Sequence, residues 1–211
     1  MKNKKIVVTG GLGFIGSNLI ELLLKKNFYV INIDKVTYSS NFYNTKNFKY
    51  NKNYKFIKCD INNQNKLLKI FNKIKPSCIF NLAAETHVDR SIDGPSKFIQ
   101  TNIVGTYIML ECAFRYWKSL PLNNNFRFHH ISTDEVYGSL GRQGYFNEKT
   151  AYSPNSPYSA SKASSDHFVR AYGETYNMPY VISNCSNNYG ANQFPEKLIP
   201  LFINNIMEGK P

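Results

Sequence analysis

Lys5-Ile6-Val7-Val8-Thr9-Gly10-Gly11-Leu12-Gly13-Phe14-Ile15-Gly16 decides the fold. A short run rich in β-branched residues ends on Thr9. A glycine-rich turn follows and opens at once into an apolar pattern of helical period over residues 15–26. Gly10, Gly13 and Gly16 stand in GxxGxxG spacing, a variant of the turn that cradles a dinucleotide. Gly10 permits the tight turn, Gly13 lets backbone approach a pyrophosphate, and Gly16 lets helix and sheet pack closely. The first helical turn, at Phe14 and Ile15, then offers free N–H groups and a positive dipole end to phosphate oxygens. Taken alone, such a triplet also describes an ordinary loop-to-helix turn, so its context decides.

Outward from this stretch, short β-branched runs alternate with longer helical patterns. Strands are predicted at residues 5–9, 29–33, 54–59, 78–82, 127–132 and 180–184, and helices at 15–26, 64–74, 96–117, 159–176 and 196–207. Alternation of this kind predicts βαβ units, hence an α/β fold with a doubly wound parallel sheet. The strands read as near-continuous apolar runs, as expected where helices cover both faces. Three connections, 34–53, 84–95 and 133–157, are too long for turns and leave the carboxyl ends of predicted strands, where open α/β sheets bind ligands. We expect a dinucleotide-binding domain over 1–190 and the start of a substrate-binding region over 191–211.

Composition narrows the classes. The 211 residues carry 26 Lys+Arg against 14 Asp+Glu, a net charge of +12, which invites a nucleic-acid reading. The lysines are dispersed through Asn/Lys/Ile-rich stretches such as 44–58 and 62–75 rather than clustered, so no nucleic-acid partner is expected, only a long-range pull on an anionic small molecule. Cys59, Cys78, Cys112 and Cys185 form no CxxC pair, and His129-His130, His87 and His167 lack partners at ligand spacing, so no metal is expected. No apolar run approaches the roughly 20 residues of a membrane span. The basic start at Met1-Lys2-Asn3-Lys4-Lys5 is followed by too short an apolar run for a secretory signal, which predicts a cytoplasmic protein with no membrane partner.

Asp34 ends the second predicted strand, where a carboxylate accepts hydrogen bonds from an adenosine ribose and repels a 2′-phosphate. NAD is therefore expected over NADP, with a turn cap as the competing reading of Asp34. Asp60 and Ile61, after the third strand, are placed to flank the adenine, and Ala83 and Ala84, after the fourth, are small enough to admit the cofactor. Tyr158-Ser159-Ala160-Ser161-Lys162 is a YxxxK pair whose two side chains share one helix face. A free tyrosine has a pKa near 10. A nearby ammonium and an oxidised nicotinamide would both favour the phenolate. Tyr158 then reads as a base for a sugar hydroxyl, with Lys162 tuning it and holding the nicotinamide ribose.

The glycine loop, Asp34 and YxxxK together resemble the extended short-chain dehydrogenase/reductase superfamily. Ser132-Thr133-Asp134-Glu135-Val136-Tyr137-Gly138, with its acidic pair, resembles the narrower nucleotide-sugar 4,6-dehydratases. The stretches 83–92, 101–106, 184–190 and 193–200 are similar to the dTDP-glucose 4,6-dehydratases in particular, from Lys5 to Pro211. Two departures are visible: Thr86 stands where the family more often has Ser, and Ala191-Asn192 replaces a Pro-aromatic pair, expected to change loop stiffness only.

The resemblance implies a redox-neutral, NAD-recycling lyase that needs no metal. Thr133 would bond the sugar, Tyr158 would take the 4-hydroxyl proton, Glu135 the C5 proton, and Asp134 would protonate the leaving 6-hydroxyl. It further implies Lys35, Thr37 and Thr101 as cofactor contacts, and Thr86, Asn187, Glu196, Lys197 and Leu198 as contacts to dTDP-glucose. It also implies a homodimer built on helices 96–117 and 159–176. Family members continue into a carboxyl-terminal substrate domain, so the sequence reads as their amino-terminal part. The rivals are another sugar-nucleotide epimerase or dehydratase of the superfamily, or a catalytically silent NAD-binding fragment.

Overall fold

A computed structural model of the chain describes residues 4–210. Its six strands are β1 (Lys5–Thr9), β2 (Tyr29–Asp34), β3 (Tyr54–Lys58), β4 (Cys78–Asn81), β5 (Arg127–Thr133) and β6 (Tyr180–Cys185). They form one sheet in the order β3-β2-β1-β4-β5-β6, and every pair is parallel. The predicted strands and their order along the chain hold, with shifts of one residue at carboxyl ends. Because the chain runs outward from β1 to β3 and then returns to place β4 on the other side of β1, a crevice opens between the ends of β1 and β4.

Side chains of alternate residues on β1 go to opposite faces. Val7, with Ile31, Ile33, Ile79 and Phe128 from its neighbours, packs under α2 (Gln64–Ile74) and α5 (Gly105–Lys118) through Leu67, Phe71, Met109 and Leu110. Ile6 and Val8 face the other way, onto Ile20, Leu23 and Leu24 of α1 (Phe14–Lys25). Helices thus lie on both faces, as a doubly wound sheet requires. Burial is uneven, however. Every residue of the outermost strand β6 is half-exposed, and α7 (Leu198–Met207) buries no residue, leaving Phe202 and Ile206 in solvent. Continuous burial on both faces, expected of all strands, holds best at β1 and β2.

Local chemistry sets the helix ends. Asn63 caps α2 by accepting from Lys66 N at 3.0 Å. α6 (Pro157–Tyr176) starts two residues earlier than its apolar pattern suggests, because Ser156 and Ser159 form a reciprocal capping box and Pro157 suits the first helical position. The predicted 96–117 helix is a composite of α4 (Ser96–Phe98), a π-helical segment at Ile99–Val104 and α5. π-helical turns are rare and tend to sit at functional sites. Here the segment places Asn102, almost fully buried, to accept from Glu85 N at 2.9 Å and donate to Ser161 Oγ at 2.8 Å. That tie fixes the chain after β4 to α6.

The long connections hold short elements that periodicity does not announce: a 3-10 turn at Phe42–Thr45, α3 (Val88–Asp93), and a 3-10 turn at Asp134–Tyr137. Buried Ser91 of α3 accepts a hydrogen bond from Tyr158 N at 3.1 Å, helping to place the first turn of α6.

The core makes a direct prediction. Phe71 is fully buried between α2 and α5, so Phe71→Ala costs about 3–5 kcal/mol in denaturant unfolding. Tyr50→Ala, at an 89% exposed position, stays within about 0.5 kcal/mol of the parent.

Candidate active site

A cleft of about 890 Å³ runs over the carboxyl ends of the central strands. Its floor is the turn after β1. Gly10 has φ +68°, and an added Cβ would meet the backbone of Ala83 at 3.0 Å. At Gly16 a Cβ would run into Gly10 O, so any larger residue would push α1 off the loop. No side chain caps α1 and its first turn holds no acidic residue, which leaves its dipole end free for an anion. Gly13, Phe14 and Ile15 line the cleft beside them.

Asp34, 6% exposed, also lines it. Its carboxylate accepts from Leu12 N at 3.1 Å, Val36 N at 2.8 Å and Ser40 Oγ at 2.9 Å. The turn-cap reading of Asp34 therefore holds, and it leaves acceptor capacity for a ribose, since a carboxylate offers about four lone-pair sites. Lys35, Thr37, Ile61, Ala83, Ala84 and Thr101 line the same cleft, with Lys35 Nζ 3.5 Å from Thr101 Oγ1. Asp60 does not. It sits in the shallow depression next door, 3.8 Å from Lys35 Nζ, and accepts from Asn62.

At the far end Thr133, Glu135, Tyr158 and Lys162 converge on the cleft. Thr133 Oγ1 caps the 3-10 turn by accepting from Glu135 N at 3.2 Å, and it lies 3.4 Å from Asp134 Oδ1. The acidic pair divides at this point: Glu135 lines the cleft, and Asp134 stands outside the lining. Desolvation first, and the neighbouring Asp134 second, raise Glu135 above the usual carboxylate range, while Lys197 pulls it down. Tyr158, 7% exposed, is raised above the ordinary phenol value by burial and then by Glu135, and the Thr133 hydroxyl works the other way.

Lys162 is pushed down to about 8 by burial, opposed by Asp166 and Cys185. Its ammonium donates to Ile131 O at 2.7 Å.

Of the residues expected to meet substrate, Thr86, Asn187, Lys197 and Leu198 line the cleft and Glu196 does not. Glu196 instead pairs with Arg90 at 2.9 Å and lies 3.6 Å from His87 Nε2. Ala191 and Asn192 do more than set loop stiffness: Asn18 Nδ2 donates to Ala191 O at 2.9 Å, and Asn192 Nδ2 reaches Ser17 Oγ at 3.3 Å, seating this loop on the start of α1. Residues that the motifs passed over include Arg90, Asn102, His130 and Asp166. Asp166 carried a readable signal, because Tyr158, Lys162 and Asp166 repeat at spacing four along α6. Among the described residues no His/Cys/Asp/Glu cluster could hold a metal, and no helix is long and apolar enough to cross a membrane.

Known proteins resemble this chain along nearly all of it. The dTDP-glucose 4,6-dehydratase of Salmonella typhimurium is 52% identical over 98% of the chain and 61% of its own length. Among solved structures, the dTDP-glucose 4,6-dehydratase of Bacillus anthracis str. Ames, in complex with NAD, superposes with TM-score 0.87 at 44% identity, over 98% of this chain and 62% of that one. The Streptomyces venezuelae enzyme of the same name, also with NAD bound, gives TM-score 0.89 at 42% identity, over 97% and 62%. The chain thus spans about three-fifths of the length of the relatives it matches. The family model described as GDP-mannose 4,6 dehydratase matches residues 7–211, and this chain belongs to that family.

Proposed function

We propose that the chain supplies the NAD-binding and catalytic part of a nucleotide-sugar 4,6-dehydratase that converts dTDP-glucose to dTDP-4-keto-6-deoxyglucose. The observation that carries this is the convergence, in one cleft, of an uncapped helix start beside Asp34 at one end and Thr133, Glu135, Tyr158 and Lys162 at the other. In this reading residues 1–190 form the NAD-binding domain with its catalytic groups, and 191–211 begin the substrate-binding region. The protein works in the cytoplasm.

The residues fit the cofactor on their own chemistry. Gly10, Gly13 and Gly16 bring backbone against a pyrophosphate, Asp34 takes a ribose with its spare acceptor sites, and the Lys162 ammonium, bonded only once to backbone, has donors left for the second ribose. NAD, when bound, supplies a hydride acceptor for the sugar C4 and later a hydride donor for C6. Tyr158 removes the 4-hydroxyl proton. Burial and Glu135 hold it as the phenol, so it becomes a base only when positive charge is brought against it. The 4-ketone acidifies C5–H, and Glu135, partly desolvated, takes that proton and gives one back to C5 when C6 is reduced. Asp134 must leave Thr133 and turn inward to protonate the departing 6-hydroxyl. Thr86, Asn187, Lys197 and Leu198, which line the cleft, meet the nucleotide sugar in this reading, and Glu196 acts from outside the lining, paired with Arg90.

A second reading draws on the chain's share of its relatives' length: an NAD-binding unit that is silent by itself. It predicts cofactor binding with neither turnover nor sugar-nucleotide binding. Incubated with NAD and, in turn, dTDP-, GDP- or UDP-glucose, a dTDP-specific dehydratase yields a product lighter by one water from the first alone. Loss of that product with all three donors removes the dehydratase reading. A mass-neutral inversion at C4 makes the chain an epimerase instead. Within the same assay Tyr158→Phe yields no 4-keto sugar at all. Glu135→Gln and Asp134→Asn still oxidise C4 but stall before water is lost, lowering turnover by about 10²–10⁴-fold. Equal failure of all three at the first step reassigns the acidic pair to substrate positioning.

Two further outcomes follow from the same geometry. The Asp34 carboxylate repels a 2′-phosphate, so calorimetry gives NAD at least about tenfold tighter binding than NADP, about 1.4 kcal/mol; equal affinities make Asp34 a turn cap only. Tyr107 and Phe168, 44% and 41% exposed, meet at 6.3 Å between ring centroids on the outer face of α5 and α6. A homodimer through this face gives twice the chain mass in light scattering, and Tyr107→Glu with Phe168→Glu returns it to one. A monomer in the parent protein rules that face out.

A further inference from the structure

Beneath the catalytic end of the cleft lies a buried polar chain that the reaction as described does not use. Its direction can be assigned donor by donor. Leu82 N and Ala83 N both donate to Thr9 Oγ1 at 3.0 Å, so the Thr9 hydroxyl must give its own proton to Asn81 Oδ1, 2.9 Å away. With its oxygen so fixed, Asn81 turns its amide nitrogen to Thr106 Oγ1 at 3.4 Å and His130 Nδ1 at 3.2 Å. His130 Nδ1 therefore accepts, and the proton of the neutral ring sits on Nε2. Burial first, and the Lys162 charge second, keep that ring neutral, holding it well below the ordinary histidine value.

His130 Nε2 lies 3.4 Å from Asp166 Oδ1 and 3.5 Å from Lys162 Nζ. Asp166 is an unusual group to bury. Its Oδ2 accepts from Ser132 Oγ at 2.7 Å, Tyr152 Oη at 2.9 Å and Asn184 Nδ2 at 3.4 Å. Its Oδ1, on a side chain only 1% exposed, has no hydrogen bond. A buried polar atom left open is rare and calls for a reason. Lys162 is equally buried, one helical turn earlier, with a single backbone acceptor. Neither group is fully satisfied by hydrogen bonds, and both approach the same nitrogen, His130 Nε2, which brings the carboxylate and the ammonium together at one edge of the ring.

We propose that Asp166 is the positioning residue of Lys162: a buried carboxylate, held by Ser132, Tyr152 and Asn184 and set beside the same His130 nitrogen, that supplies the countercharge fixing the lysine at the floor of the cleft. Countercharge acts through space here, without a direct ion pair, which leaves the ammonium's remaining donors turned toward the cleft for a ligand. This rests on the reading of Lys162 as the ribose-holding lysine. The groups that bear on the lysine are Asp166 from α6, His130 from β5 and Cys185 from β6. Those that bear on Asp166 are Lys162, His130, Tyr152, Tyr137 and Tyr158.

The experiment reads the lysine itself and needs neither cofactor nor turnover. Lysine side chains carrying ¹³C at Cε are titrated by NMR, and Lys162→Met assigns the signal. In the parent the midpoint falls near about 8. Asp166→Asn keeps the shape and removes the charge, and should lower that midpoint by about one unit or more. Tyr152→Phe removes one of the bonds to Asp166 but keeps the charge, and should leave the midpoint in place. An unmoved midpoint in Asp166→Asn, or equal shifts in both variants, makes Asp166 a packing group and overturns the proposal. Should Asp166→Asn fail to fold, the Asp166 carboxyl carbon in the parent decides: an ionised shift at neutral pH supports the countercharge, and a protonated one ends it. Absence of NAD binding would remove the ribose role while leaving the titration result standing, so the two failures are separable.

Discussion

Beyond the backbone ladder of β1 and β4, one side-chain hydrogen bond ties the two strands together at the ends from which their loops part. Thr9, at the end of β1, donates to Asn81, at the end of β4, and both side chains are buried. The same hydroxyl accepts from Leu82 N and Ala83 N, and so turns the chain after β4 toward the glycine loop. A parallel sheet that winds both ways needs such a junction, because strands β1 and β4 are neighbours in space with their outgoing loops diverging to opposite sides. An open junction would leave unpaired backbone groups in the crevice, each costing about 1–3 kcal/mol. Thr9 and Asn81 close it with side chains short enough to leave the space above for a ligand.

Legibility in the sequence follows from range. The strands and the helix over Gln64–Ile74 are written in local periodicity, and the glycine loop in the steric demands of a single turn, so all were readable from adjacent residues. The positions of Asp34 and the YxxxK pair on the cleft were readable because they follow from place in a βαβ unit. Asp134 and Glu135 were both expected to reach the reacting sugar because sequence adjacency hides direction; the 3-10 turn capped by Thr133 puts one in the cleft and the other beside it. Glu196 looked like a substrate contact, yet its partner Arg90 lies more than a hundred residues away, a distance no local pattern reports. α3 and the exposure of β6 were hidden for a similar reason, since burial there is decided by what packs against them.

The floor and the roof of the cleft are built on different physics. The floor is a dry network: Thr9, Asn81, His130, Asp166 and Lys162 are all nearly fully buried, and removing one leaves another's polar atom without water to replace it. The roof is stitched from the connections after β2, β4 and β6 by surface contacts. Arg90, from the chain after β4, stacks 4.1 Å over the Tyr38 ring from the chain after β2, and Tyr38 meets Phe194, from the chain after β6, edge to face at 5.8 Å. Arg90 is half-exposed where it pairs with Glu196. Exposed ion pairs and cation–π contacts of this kind are each worth about 0–1 kcal/mol.

The contacts of the roof are thus individually weak, whereas those of the floor are shielded from solvent. The groups that set charge and proton positions sit in the buried part, and the roof contacts sit where solvent weakens them. Arg90 joins all three connections of the roof without lining the cleft. Its guanidinium is the one group long and flat enough to bond a carboxylate at its edge while stacking on an aromatic ring with its face. Loss of Arg90 removes one tie from the chain after β4 to each of the chains after β2 and β6, while Tyr38–Phe194 and His87–Glu196 still join those chains.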